Sequence, residues 1–189
     1  MAVGARVIKA EQLYTVEQFE QMPEFSENFE LIEGRIVPKV ASFIHNKIAL
    51  NILFAYHDFD RQKAIGDVGG GDLNVKIRDD YAPAPDVSFW KAINRPPRTK
   101  GVAPRPDLAV EIWSDSDLNT KKKREEARDK IAEYLKAGVE LAWAINPDNQ
   151  TVEVHRLGQP TPEVLDITGE LSGEGVIPGF TLAVSKLFE

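Results

Sequence analysis

The sequence predicts a mixed α/β fold (α+β mixed), with a central mixed β-sheet flanked by α-helices. Three observations predict it. Short apolar runs of strand length are interleaved with longer segments of helical periodicity, as in layered architectures. Residues 107–145 read strand, helix, strand, which is the crossover that two parallel neighbouring strands require. At 189 residues, with 42% hydrophobic and 28% charged side chains, the chain is ordinary globular material, long enough to bury a full core.

Each element has its own signal. Thr15-Val16-Glu17-Gln18 spells a capping box that opens a short helix through Met22, stopped near Pro23. Phe29–Ile32 and Arg35–Val37 read as two strands around a tight Glu33-Gly34 turn. A longer helix beginning near His45 follows, with Ile44, Ile48, Ile52, Leu53, Tyr56 and Phe59 at helical spacing. Gly69-Gly70-Gly71 breaks the pattern and reads as a turn, because it lacks the glycine spacing and following helix of a phosphate-cradling loop. Leu73, Val75 and Ile77 then alternate with polar residues as in a half-buried strand.

Asp86–Trp90 and Asp107–Trp113 each follow a proline and read as strands, the second with Leu108, Val110 and Ile112 on one face. Residues 122–137 form a helix with an apolar stripe of Ala127, Ile131, Tyr134 and Leu135, ended by Gly138. Leu141–Ile145 and Thr151–His155 are strands around an Asn146-Pro147-Asp148-Asn149 turn, and short strand-like pieces with a Pro178-Gly179-Phe180 turn close the chain. There is no internal repeat, low-complexity tract or linker. A single domain over 1–189 is expected, with an N-terminal helix and hairpin at 12–40, a core at 42–156, and C-terminal strands with a short helix at 160–189.

Composition removes whole classes of chemistry. Without cysteine there are no disulfides, thiolate zinc sites, iron–sulfur clusters or thiol nucleophiles. No Walker-type phosphate loop and no G-x-S-x-G elbow occur, and His45, His57 and His155 stand outside any motif. No apolar run approaches membrane-spanning length and no secretion signal is legible, so a cytoplasmic protein without membrane attachment is expected. The net charge of −7 is unevenly spread. Lys91 to Lys136 carries 12 Lys/Arg against 8 Asp/Glu, and the rest of the chain carries 11 against 22. A polyanion would meet repulsion over most of the surface and attraction at Arg95, Arg98, Lys100, Arg105 and Lys121 to Arg124; the alternative is a solvated basic helix and loop.

Carboxylates remain as candidate reactive groups. Of three Pro-Asp pairs, the one at 147–148 is turn chemistry. Asp107 shares a strand face with Glu111, but four residues of strand separate them by roughly 13 Å, too far for one ion. Asp86 and Glu111 lie on different strands. If those strands pair, the two carboxylates converge on an oxygen-ligand site suited to magnesium or manganese. Glu111 also interrupts a nearly continuous apolar run, where an unpaired carboxylate would cost several kcal/mol. It calls for a cation, an arginine or a hydrogen-bond donor; a salt bridge or a solvent-facing edge position would serve equally well.

A resemblance rests on several blocks taken in order. They are Glu30-Leu31-Ile32-Glu33-Gly34, Pro85-Asp86-Val87-Ser88-Phe89, Asp107 to Ser114, Lys130 to Val139, Asn146-Pro147, and Pro178-Gly179-Phe180 to Leu187-Phe188. Together they resemble the bacterial Uma-two family of restriction endonucleases, with the PD-(D/E)xK nuclease fold, over nearly the whole chain. The resemblance implies a restriction-endonuclease-like sheet of about four mixed core strands and metal-dependent hydrolysis of nucleic-acid phosphodiesters, with Mg2+ or Mn2+ as cofactor. By position it makes Asp86 and Glu111 catalytic and metal-binding, and Glu30 a further acid near the metal. A backbone carbonyl, that of Ile112, would complete the ligands.

The family lysine belongs two residues after Glu111, where this sequence has Trp113. Lys130, which fits the family's K-x-x-x-Y-L block, is the candidate replacement, although it could instead snorkel over the core edge or pair with Glu126. His45 matches a histidine of the resemblance and is an auxiliary candidate. Arg98, Lys100, Arg105, Lys121, Lys122 and Lys123 are the candidate nucleic-acid contacts. Two functional readings follow: an endodeoxyribonuclease, acting on DNA and with a homodimer expected for duplex cleavage, or a catalytically inactive module that binds nucleic acid or a protein partner.

Overall fold

The computed structural model describes residues 12–22, 28–39, 42–62, 64–97, 101–114 and 118–189. A short helix α1 (Val16–Glu20) opens on the predicted capping box: Thr15 accepts from the Gln18 amide, and the Gln18 side chain accepts from the Thr15 amide. Its expected stop at Pro23 lies outside the described residues. Strands β1 (Phe29–Ile32) and β2 (Arg35–Pro38) form an antiparallel hairpin, and Glu33 and Gly34 turn the chain with φ of 49° and 73°. That left-handed pair is the geometry of a two-residue hairpin loop, and it favours glycine at the second position.

Helix α2 (Phe43–Phe59) is capped by Ser42 and buries Ile48, Ile52 and Tyr56. Ile44 and Phe59 are more exposed than their spacing implies. After α2 come β3 (Gly66–Gly70), β4 (Val87–Lys91), β5 (Leu108–Ile112), helix α3 (Lys121–Lys136), β6 (Leu141–Asn146), β7 (Thr151–Arg156) and β8 (Glu163–Leu165). The six strands form one mixed sheet in the order β3-β4-β5-β6-β7-β8, two strands wider than the expected core of about four. Only β5 and β6 run parallel, and α3 supplies their crossover. Gly138, at φ 91°, ends α3 in a Schellman motif with Val139 donating to the Tyr134 carbonyl at 3.0 Å. A small antiparallel pair, β9 (Glu170–Ser172) with β10 (Thr181–Ala183), and the 3-10 turn Val184–Leu187 close the fold.

The sheet is covered on both faces. On one side Ile48, Ile52 and Tyr56 of α2 pack with Leu108, Val110, Ile112, Trp143 and Phe180. On the other side Ile131 and Tyr134 of α3 pack with Ala109, Trp113, Ala142 and Ala144. Trp90, Trp113 and Trp143 are all buried, so none is a surface stacking platform. Among the described residues no helix is long and apolar enough to cross a membrane.

Two sequence expectations need correction. The glycines at 69 and 70 lie within β3, and only Gly71 and Asp72 turn the chain. Glycine is needed in β3 because aromatic side chains of β4 press onto it. A Cβ on Gly66 would lie 2.1 Å from the Trp90 carbonyl oxygen and 2.5 Å from the Phe89 ring, and one on Gly69 would lie 3.2 Å from Trp90. Gly66→Ala should therefore cost about 1–3 kcal/mol, read as a lowered thermal midpoint, and an unchanged midpoint would contradict this packing. The alternating Leu73, Val75 and Ile77 do not make a strand. Val75 forms one isolated parallel bridge to Ala103, and Pro104 and Pro106 beyond it have no N–H with which to extend a ladder.

Candidate active site

Strand pairing brings the two predicted acids together. In the antiparallel β4–β5 register Val87 faces Val110, so Asp86, just before β4, continues opposite Glu111. Asp86 Oδ2 accepts from the Ile112 amide at 2.6 Å, which fixes the carboxylate against the end of β5. His45, in the first turn of α2, is buried with Nδ1 3.7 Å from Asp86 Oδ1. Glu111 occupies the α3 side of β5, between Ala109 and Trp113, because side chains alternate along the strand.

Glu30 arrives from the hairpin. Reciprocal backbone hydrogen bonds between Leu31 and Ala82 fasten β1 to the segment leading into β4. Glu30 Oε1 then accepts from the Ala84 amide at 2.7 Å. From the opposite side Lys130 of α3 places Nζ 2.9 Å from Glu30 Oε1 and 3.1 Å from Glu111 Oε1. Tyr134, one helical turn further, donates its hydroxyl to Glu111 Oε1 at 2.5 Å. Trp113 packs into the α3 core where a lysine two residues after Glu111 would project, and the ammonium comes from the facing helix instead.

Glu30, His45, Asp86, Glu111 and Lys130 line an open cleft of about 880 Å3, with Tyr134 behind Glu111. Lys39, Lys123, Asp72 and Glu126 also line the cleft, whose acidic end gathers Glu30, Asp86 and Lys130 around Glu111. Burial raises its pKa to about 7; Lys130 opposes the rise, Asp86 and Glu30 add to it, and the Tyr134 hydrogen bond opposes it. Burial by itself would lower the pKa of Lys130, but Glu111 and Glu30 outweigh that and hold the ammonium charged. Lys39, at the end of the hairpin, donates to the Asp72 carbonyl at 2.9 Å, and burial lowers its pKa against the pull of Asp72 and Glu30. Among the described residues no group of three or more His, Asp or Glu side chains forms a ready-made metal cage. Lys130 lies between two of the acids.

The raised Glu111 pKa has a consequence for stability in metal-free protein. Between about pH 4.5 and 7 the folded state keeps a proton that the unfolded chain has released. Stability contributed by Glu111 is thus complete at the acid end of that window and is lost as pH rises through it. Melting curves of the wild type minus those of Glu111→Gln should show this fall, and a flat difference would refute it.

Wider comparison identifies the chain. The model of the Uma2 family, described as "Putative restriction endonuclease", matches residues 16–185. The chain belongs to the Uma2 family. It is also similar to a crystal structure of "a putative nuclease belonging to DUF820" from Anabaena variabilis, with a TM-score of 0.74 and 26% identity, covering 92% of this chain and 97% of that one. No curated protein matches it. Family and fold together place this Uma2 protein among the nucleases.

Within the Uma2 chain the cleft gathers Asp86, Glu111, Glu30, Lys130 and His45. The candidate nucleic-acid contacts are dispersed. Lys121, Lys122 and Lys123 stand exposed in the first turn of α3, paired with Glu125 or Glu126, and Lys123 reaches the cleft rim. Arg105 instead donates to the Ala137 carbonyl at the other end of α3, roughly 24 Å of helix away. Arg98 and Lys100 lie outside the described residues. Asp107 accepts from the Lys91 amide and the Asn94 side chain, a structural role apart from the cleft.

Lys130 does not pair with Glu126, which engages Lys122 and Lys123. Sequence reasoning assigned Tyr134 to the core stripe and overlooked its hydroxyl, and it did not single out Lys39. For Tyr134 the signal was present: a lysine and a tyrosine four residues apart share a helix face, and buried Glu111 needed donors.

Proposed function

We propose that the protein is a divalent-metal-dependent endonuclease that hydrolyses DNA phosphodiester bonds with magnesium or manganese. The observation that carries this reading is the meeting of Glu30, Asp86 and Glu111, from three separate elements, in one cleft with Lys130 among them. The donor set fits a hard cation. It is all carboxylate oxygen, it carries more negative charge than Lys130 offsets, and Glu111 already has a raised affinity for a positive charge. Asp86 and Glu111 would hold the ion, with Glu30 nearby; once bound, it would assist water as a nucleophile and offset charge at phosphorus.

The chain's own groups prepare the site. The Ile112 amide holds Asp86 Oδ2, and Tyr134 and Lys130 both engage Glu111 Oε1, so one oxygen of each carboxylate is left for the cleft. The Lys130 ammonium, kept protonated by its two glutamates, offers positive charge to a phosphate in the transition state. His45 backs Asp86 and steadies its orientation.

A second reading, a nuclease scaffold that binds without cleaving, is favoured by one observation: Lys130 neutralises the acids from within, and no ready metal cage forms among the described residues. Supercoiled plasmid separates the two. Nicking in magnesium or manganese that stops with chelator supports the endonuclease. Salt-sensitive DNA binding without nicking in any divalent ion supports the scaffold.

A further inference from the structure

The cleft lining is mixed. The acids and Lys130 gather at one end. Beside them Val37, the cross-strand neighbour of Glu30, and Leu50 and Leu53 of α2 present an apolar wall, interrupted by Lys39, His45 and Asn46. The reactive end is also recessed, with the Glu111 side chain 10% and the Glu30 side chain 15% exposed. We propose that the substrate strand enters this cleft unpaired: the site takes single-stranded polynucleotide, one base lying against the apolar wall while its phosphate lies among the acids and Lys130. This rests on the nuclease reading above and names the substrate class of the same site.

A duplex is stiff, with a persistence length of about 50 nm, and offers a protein only backbone and groove edges. Seating one of its phosphates in the recess takes local bending or unstacking, at a cost of about a few kcal/mol, and sets charged backbone against the apolar wall. An unpaired strand turns freely, and its unstacked bases present apolar faces that such a wall can cover. The cleft, at about 880 Å3, matches a ligand the size of one or two nucleotides. Charge points the same way. A chain with net charge −7 repels the denser charge of a duplex more than that of a single strand, and the nearby lysines at 121–123 are each already paired with a glutamate.

The test measures binding by fluorescence anisotropy without divalent ions, comparing short single-stranded DNA, single-stranded RNA and duplex DNA of the same sequence at one salt concentration. Single strands should bind at least about five-fold more tightly than duplex. The double variant Val37→Ser, Leu50→Ser should lose about five-fold in single-strand affinity while keeping its weaker duplex affinity and its melting temperature. Leu157→Ser, a comparably exposed leucine outside the cleft, should change neither. The DNA and RNA arms identify which strand the wall accepts. Equal or tighter binding of duplex, equal losses on both substrates in the double variant, or no binding of either would overturn the inference. Single-strand preference without cleavage in any metal would uphold it while the nuclease reading falls.

Discussion

Asp86→Asn is expected to remove metal-dependent cleavage, lowering the rate by about 10^3-fold or more, while the protein melts within a degree or two of the wild type. The two effects separate because the carboxylate does two jobs. Its Oδ2 receives the Ile112 amide, which ties the start of β4 to the end of β5. An asparagine carbonyl can still accept that bond, so the tie survives. What it loses is the negative charge that a cation ligand must supply. Asp86→Ala should lose the same activity and also destabilise by about 1–3 kcal/mol, because the Ile112 amide is then left unpaired or must take a water. Plasmid nicking and thermal melting of the two variants side by side make the check. Wild-type nicking by both Asp86→Asn and Glu111→Gln would remove the site from consideration.

Lys130→Met should unfold the protein more readily, by about 3–5 kcal/mol at alkaline pH. Among the described residues the ammonium is the ion-pair partner that Glu30 and Glu111 share, and both acids are largely buried. Methionine preserves much of the stem's volume, so the loss is electrostatic. The cost should depend on pH in a defined direction. Without the ammonium, Glu111 holds a proton up to still higher pH, and in its neutral form it no longer needs a counter-charge. The variant should therefore approach wild-type stability in mild acid and fall away as pH rises. Adding Glu111→Gln should recover part of the loss. A Lys130→Met protein as stable as the wild type at alkaline pH would show that the cluster is solvated and the ion pairs contribute little.

Much of the fold was legible because local signals agree with the tertiary outcome. The Thr15 capping box, the Glu33-Gly34 turn and the Gly138 helix stop each depend on a few neighbouring residues, and each appears where those residues predict it. The failures share a cause. Gly69 and Gly70 look like a turn until β3 is paired along β4 and Trp90 is laid against Gly69, contacts across strands that no window of sequence contains. The apolar alternation at Leu73, Val75 and Ile77 is real, since Val75 is buried against Trp90 and Ala103, but the prolines opposite prevent a ladder.

The site divides in the same way. Sequence alone left carboxylates as the candidate reactive groups, since the chain has no cysteine and no serine or phosphate-loop motif. It also determined that Glu111, in an apolar strand, had to find partners. Which partners was decided by the tertiary structure: a lysine and a tyrosine one turn apart on α3, and a second glutamate delivered by a hairpin 81 residues earlier in the chain. Periodicity reports which face of an element turns inward, and burial sets the cost of leaving a charge alone. Only the register of β4 on β5 and the packing of α3 over the sheet decide which distant side chains meet, because that choice is made between elements and not within them.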